Sequence, residues 1–198
     1  MSLQEQIKAI DSYTKSAVKQ KRYDHSVRVA QMCEFLCNKY NLDAEKGYLV
    51  GIGHDMCKEM SDSDLIEIAA RDGDPITDYE KSKPSLLHGR AAAVYMKEKF
   101  GIEDAEILEA VANHVSGKEG IGPIGMVLFL SDKIEPSRPQ STDEYRANLF
   151  KLSLMEMYYS VIKENYEYIS SKGYDVYPGT YEMLQAYDRL FGKGGDNK

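Results

Sequence analysis

Tyr48-Leu49-Val50-Gly51-Ile52-Gly53-His54-Asp55 is the stretch that decides how this chain folds. Its apolar run belongs to a helix that passes through a core, and the adjacent histidine and aspartate stand where that helix would emerge. Two side chains able to bind a metal are thereby delivered to one mouth of the core. In both directions from here apolar residues recur at helical spacing, while alternating, strand-like stretches are scarce, so the expected fold class is all-α. The spacing predicts helices over 3–18, 23–40, 44–54, 63–71, 85–100, 104–114 and 124–132, one long tyrosine-bearing helix over 142–170, and a last one over 179–191. Asn41, Leu42 and Asp43 mark a turn with an N-cap, and Gly101 ends the helix that begins after Pro84. The segments 72–84 and 117–125, rich in polar residues, glycine and proline, read as loops.

The bulk numbers agree with one domain over 1–198, its metal-binding motifs within about 22–138 and the helices of 142–191 packed on them. With 42% hydrophobic and 29% charged residues and no long polar tract, the chain is of a globular type rather than a disordered one. No apolar segment approaches the roughly 20 residues that span a bilayer. The first turns carry Gln4, Glu5, Gln6, Lys8 and Asp11 rather than the apolar run of a secretory signal, so a cytoplasmic location is expected. Three cysteines without a CxxC framework read as reduced, buried small hydrophobes. A net charge of −7 argues against wrapping a nucleic-acid duplex, which needs a broad basic face. A small anionic substrate needs only local cations and stays open.

The chemistry-bearing residues are its four histidines, His25, His54, His88 and His114, each in or at the edge of a predicted helix. Facing helices of a bundle can bring such scattered ligands together. Imidazole with carboxylate suits iron, manganese, cobalt or zinc, whereas calcium wants oxygen alone. Four histidines with Asp55 and Asp132 suffice for two metals, and a metal pair can hold and acidify a water for attack on phosphorus. Taken singly, any of these histidines is more often a hydrogen-bonded core or surface residue than a ligand.

The blocks around them carry a resemblance. RYDHSVRVA, GIGHDMCKEM, LLHGRAAA, VANHVSG and LFLSDKIEPSRP, followed by GYDVYPGTYEMLQAYDRL, resemble in order the HD superfamily of metal-dependent phosphohydrolases. They are most similar to its YqeK-like branch, the bacterial symmetrical diadenosine tetraphosphate hydrolases. The resemblance implies an HD-type helical bundle that binds one or two metal ions, iron first. It implies that His25, His54, Asp55 and Asp132 hold one metal, and that His88 and His114 complete a second position or orient the attacking water. Asp55 is the natural bridge, because a carboxylate has two oxygens to offer and an imidazole one free nitrogen. The implied reaction cleaves diadenosine tetraphosphate into two ADP.

Around the metals, Lys58 lies one helical turn past His54 and could reach a phosphate, with a catalytic role beside Asp55, His88 and His114. Arg22 and Arg138 match basic positions of the family blocks, and Ser116, Gly117 and Lys118 form a glycine-containing segment whose backbone could approach phosphate oxygens. Each has a plainer reading as a solvated charge or an ordinary connection. Two positions depart from the family habit. Val115 replaces a threonine of His-Thr-Thr-Gly, and Arg90 stands where proline is usual, leaving a phosphate contact and a solvent-facing charge both open. Fifteen tyrosines could stack on a purine, but Tyr158, Tyr159, Tyr166 and Tyr168 are read as packing residues of the long helix, which could also serve a homodimer. Alternatives to the tetraphosphate are another HD substrate (a nucleoside monophosphate, an alarmone or a cyclic dinucleotide), a nucleotide- or metal-binding protein without turnover, and a purely structural helical domain.

Overall fold

The apolar run forms the central helix of a computed structural model that describes residues 1–192. In chain order the described residues form α1 (Leu3–Ala17), α2 (Gln20–Lys39), α3 (Ala44–Gly53), α4 (Asp62–Ala69), α5 (Asp78–Ser82) and α6 (His88–Phe100). There follow α7 (Ala105–Ala112), α8 (Pro123–Ile134), α9 (Asp143–Leu149), α10 (Leu154–Ser171) and α11 (Pro178–Gly192). Short 3₁₀ turns cover Ala70–Asp72 and Pro84–Leu87, and no strand occurs among the described residues, so the fold is all-α as expected. None of these helices is long and apolar enough to cross a membrane.

Asp43 starts α3 by accepting from the Glu45 and Lys46 N–H groups, and His54 caps its other end. Leu49, Val50 and Ile52 are fully buried, which contributes about 1.5–3 kcal/mol for each large aliphatic side chain. Helices α1, α2, α7 and α8 pack around α3, and α2 lies closest. The approach is that close because Gly51 has no side chain: a Cβ there would lie 2.4 Å from the Ala30 Cα. The buried apolar residues form one continuous cluster, with α6 packed on α7 and α4, and with α10 on α8 and α11.

Three expectations are corrected. The predicted helix over 142–170 is two helices, because Ser153 and Glu156 form a capping box that starts α10 afresh. The predicted loop over 72–84 contains α5, opened by the equivalent box of Thr77 and Glu80. Tyr168 is 62% exposed rather than packed, whereas Tyr158 is fully buried. Tyr168 shares a helix face with Met157 and Val161, but it stands in the last turn of α10, beyond the Met157–Ile162 stretch that this helix buries. Boundaries also shift: α6 starts at His88 after the Pro84–Leu87 turn, and α7 ends at Ala112, which leaves His114 in the turn beyond it.

Candidate metal centre

Five helices deliver six side chains to one buried spot. His25 comes from the second turn of α2, His54 and Asp55 from the end of α3, His88 from the first residue of α6, His114 from the turn after α7, and Asp132 from the last turn of α8. All six are buried. Asp55 stands at the middle. Its Oδ2 lies 3.5 Å from His54 Nε2 and 3.8 Å from His25 Nε2, while its Oδ1 lies 3.0 Å from His88 Nε2 and 3.9 Å from His114 Nε2. Two ligand sets therefore share one carboxylate: His25, His54 and Asp55, and Asp55, His88 and His114. Asp132 faces the first set, with Oδ1 3.1 Å from His25 Nε2 and 3.9 Å from His54 Nε2.

The ring orientations follow from the opposite nitrogens. Nδ1 of His54 lies 2.7 Å from the Gly51 carbonyl, that of His114 2.7 Å from Val111 O, and that of His88 2.6 Å from Ser85 O. In each case the acceptor is three residues back on the local chain, so the same short-range device turns three imidazoles. The fourth, His25, has its Nδ1 3.1 Å from Glu135 Oε1. Acceptors at every Nδ1 assign the proton there, which leaves every Nε2 lone pair pointing inward, the arrangement that metal-binding histidines adopt. Gly89 admits the α7 turn: a Cβ there would meet Val111 O at 2.8 Å and His114 Nδ1 at 3.0 Å.

This donor set fits a transition metal. His54 Nε2 is buried with no hydrogen-bond partner among the described residues. The Nε2 atoms of His88 and His114 face each other at 3.1 Å as acceptor against acceptor. Such a convergence of lone pairs is relieved by a cation, and imidazole with carboxylate selects a borderline first-row ion.

Protonation states agree. Burial lowers the pKa of His54, and burial with the neighbouring His88 and His54 holds His114 well below the usual imidazole value. Burial alone would raise Asp55, but the imidazoles of His54, His88 and His114 hold it well below the usual carboxylate range. Asp132 is likewise lowered against burial, by Lys133, His25, His54 and Arg138. His25 goes the other way. Burial opposes its charge, but hydrogen bonds to Asp132 and Glu135 outweigh burial and raise its pKa.

Cations line the rim. Arg22 Nη1 donates to Asp55 Oδ2 at 2.9 Å, and Arg138 bonds both the Oδ1 and the backbone oxygen of Asp132, at 2.5 and 2.7 Å. Lys58 Nζ lies 3.3–3.4 Å from the two ring nitrogens of His88, its pKa lowered by burial. The loop residues sit differently. The Gly117 N–H donates to Asn113 O at 2.8 Å, the Ser116 carbonyl accepts from Thr180 Oγ1, and Lys118 pairs with Glu109 at 2.6 Å. Arg90 neither faces open water nor points a free charge at the centre. It clamps the 72–80 segment through Asp72, Glu80 and the carbonyls of Asp74 and Pro75.

Two residues were missed by sequence reasoning. Lys133 Nζ donates to Asp132 Oδ2 at 2.6 Å. Glu135, almost fully buried, holds His25 while accepting from Arg28 Nε and from the Ser137 N–H and hydroxyl, and these donors outweigh burial to keep its pKa far below the carboxylate range. The available signal was position: both lie in the DKIEP block with Asp132.

Comparison with known proteins bears on the use of this centre. Residues 22–137 match the HD domain family, a span that contains all six clustered side chains. The chain is 30% identical over 178 residues to a symmetrical bis(5'-nucleosyl)-tetraphosphatase of Staphylococcus aureus, covering 88% of this chain and 90% of that protein. To the protein of the same name from Bacillus subtilis it is 28% identical over 168 residues, 84% of this chain and 89% of the other. The fold matches the crystal structure of a predicted HD superfamily hydrolase involved in NAD metabolism from Clostridium acetobutylicum with a TM-score of 0.82, at 26% identity over 90% of this chain and 94% of that one.

Proposed function

The chain belongs to the HD domain family, and on that premise we propose that it hydrolyses dinucleoside polyphosphates, cleaving diadenosine tetraphosphate symmetrically into two ADP. The observation that carries the hydrolytic part is the convergence of four Nε2 lone pairs on the two oxygens of Asp55. The substrate part is supported by the relatives named symmetrical tetraphosphatases.

In this reading His25, His54, Asp55 and Asp132 hold one metal ion, and Asp55, His88 and His114 a second. Iron is the first assignment, and manganese, cobalt or zinc suits the same donors. Metals held there supply Lewis-acid charge to phosphoryl oxygens and a water of lowered pKa. The chain's own groups do the rest. Glu135 and the carbonyls of Gly51, Ser85 and Val111 keep the imidazoles aimed. Arg22, Lys133 and Arg138 offer charge-assisted hydrogen bonds to the polyphosphate. Lys58, whose burial makes its proton easier to release, donates at Nζ to the bridging oxygen that leaves. The water oxygen stays on one central phosphorus, the bridging oxygen departs with the other, and both products are ADP. A cytoplasmic location accords with a nucleotide substrate and with three free, buried cysteines.

The test is product analysis. Metal-loaded protein incubated with diadenosine tetraphosphate should release ADP alone. ATP with AMP, or no turnover with iron, manganese or cobalt, refutes the reading.

A further inference from the structure

A second feature lies beside the centre and takes no part in holding metal. Between α9, the turn after α8 and α10 is a cavity of about 640 Å³, lined among others by Lys133, Arg138, Tyr145, Val161, Asn165 and Tyr168. Its two ends differ in chemistry. Lys133 and Arg138 form one end, and both touch Asp132, so this end lies within one side chain of the metal ligands. The other end is aromatic and uncharged apart from Glu164, whose carboxylate accepts from the hydroxyls of Tyr145, at 2.5 Å, and Ser160, at 3.3 Å.

The break between α9 and α10 makes this cavity. In one continuous helix Tyr145 and Tyr168 would stand about 35 Å apart along the axis, at 1.5 Å per residue. The break before Ser153, where a capping box starts α10 afresh, instead lets the Tyr145 hydroxyl reach Glu164. Val161, Asn165 and Tyr168 follow at i, i+4 and i+7, one stripe of α10 facing the space. Tyr168 is 62% exposed, and the Asn165 side-chain amide makes no hydrogen bond among the described residues, although the residue is half-buried. A mostly exposed ring and an unpaired amide on one stripe, opposite a ring tied in place, form a recognition surface rather than a packing one.

We propose that this cavity is the subsite for one purine nucleoside of the substrate, with the base between Tyr145 and Tyr168 and its phosphates running toward Lys133 and Arg138. Purine faces stack on aromatic rings whatever the base, and an amide presents the paired donor and acceptor that matches an adenine edge. The negative Glu164 sets the direction, since it repels phosphate from the aromatic end. The identity of the phosphate chain rests on the proposed hydrolase reading; the base subsite itself does not.

Titration calorimetry of the metal-loaded protein with ADP and with inorganic pyrophosphate separates base from phosphate. Tyr168→Ala and Asn165→Ala should each weaken ADP about tenfold, while pyrophosphate binding is unchanged and Tyr168→Phe restores ADP binding. Equal loss for both ligands, unchanged ADP binding in both alanine variants, or a wild type that binds ADP no better than pyrophosphate overturns the subsite. The two readings fail separately. Base-dependent ADP binding without dinucleotide cleavage leaves the subsite standing and removes the hydrolase, whereas cleavage to ADP with KM unchanged in both variants does the reverse.

Discussion

Gly51→Ala adds one methyl group where two helices meet, and its effect can be worked from the contact. The new Cβ would lie 2.4 Å from Ala30 Cα and 2.7 Å from Ala30 N, both backbone atoms of α2 that no rotamer change can move. Carbon atoms in contact sit about 3.5–4.0 Å apart, so α2 and α3 must separate by roughly 1 Å along that line. Overpacking of this kind costs about 1–3 kcal/mol, and a collision with backbone belongs at the upper end. Replacing a helical glycine by alanine returns about 1 kcal/mol of propensity, which leaves a net loss near 2 kcal/mol. For a chain of this size that lowers Tm by about 4–8 °C. The centre should suffer more than the fold. His25 lies on α2 and His54 ends α3, with Gly51 itself supplying the carbonyl that orients His54, so the separation opens the His25, His54 and Asp55 set. A displacement of about 1 Å at a reacting site can cost on the order of 100-fold in rate. Thermal melting followed by circular dichroism, with metal affinity from chelator competition, reads both effects. A variant that melts with the wild type and binds metal equally well would show that the α2–α3 approach is not what positions the ligands.

Three further outcomes follow from the same geometry. Glu135→Gln leaves one acceptor oxygen for His25, Arg28 and Ser137 and sets an amide donor against donors, so metal affinity should fall about 10- to 100-fold in chelator competition; an unchanged value would separate Glu135 from the centre. Ser153→Ala removes the cap that starts α10 and should cost about 1 kcal/mol in denaturant unfolding, and a loss confined to a few tenths would mean that packing alone places the break. Burial pushes the Cys37 and Cys57 thiols from an ordinary 9.0 up to about 12. Because the unfolded thiols ionise first, their stabilising effect is complete below pH 9 and is lost as pH climbs toward 12. Tm should therefore fall across that window, less steeply in Cys57→Ala, and identical slopes would contradict the assignment.

The all-α class and the central helix were readable because apolar spacing is a local property of the chain, and α3 ends at His54 as its pattern implies. The break at Ser153 was harder to see: apolar residues keep helical spacing across it, Leu149 with Leu152 and Phe150 with Leu154, and only the Ser-x-x-Glu box marks a new start. The same box at Thr77 hid α5 in a segment whose polarity and prolines argued for a loop. At the centre, histidine draws attention by rarity, four in 198 residues. What holds the imidazoles does not. Three of their acceptors are backbone carbonyls, which no sequence displays, and Glu135 is one of 32 acidic residues until the fold buries it against His25. Lys118 and Arg90 show the converse: a basic side chain near a histidine in sequence can be committed to a carboxylate elsewhere.

The central claim, that one carboxylate joins two ligand sets into a hydrolytic metal centre, is tested most directly at Asp55. Asp55→Asn keeps the shape of the side chain and removes its charge at the midpoint of all four imidazoles. Metal content and ADP release from diadenosine tetraphosphate, measured on the same reconstituted sample, should both collapse, with turnover down by more than about 100-fold since even the partners behind metal ligands are worth that much. An Asp55→Asn protein that keeps its metal and still releases ADP at the wild-type rate would contradict it.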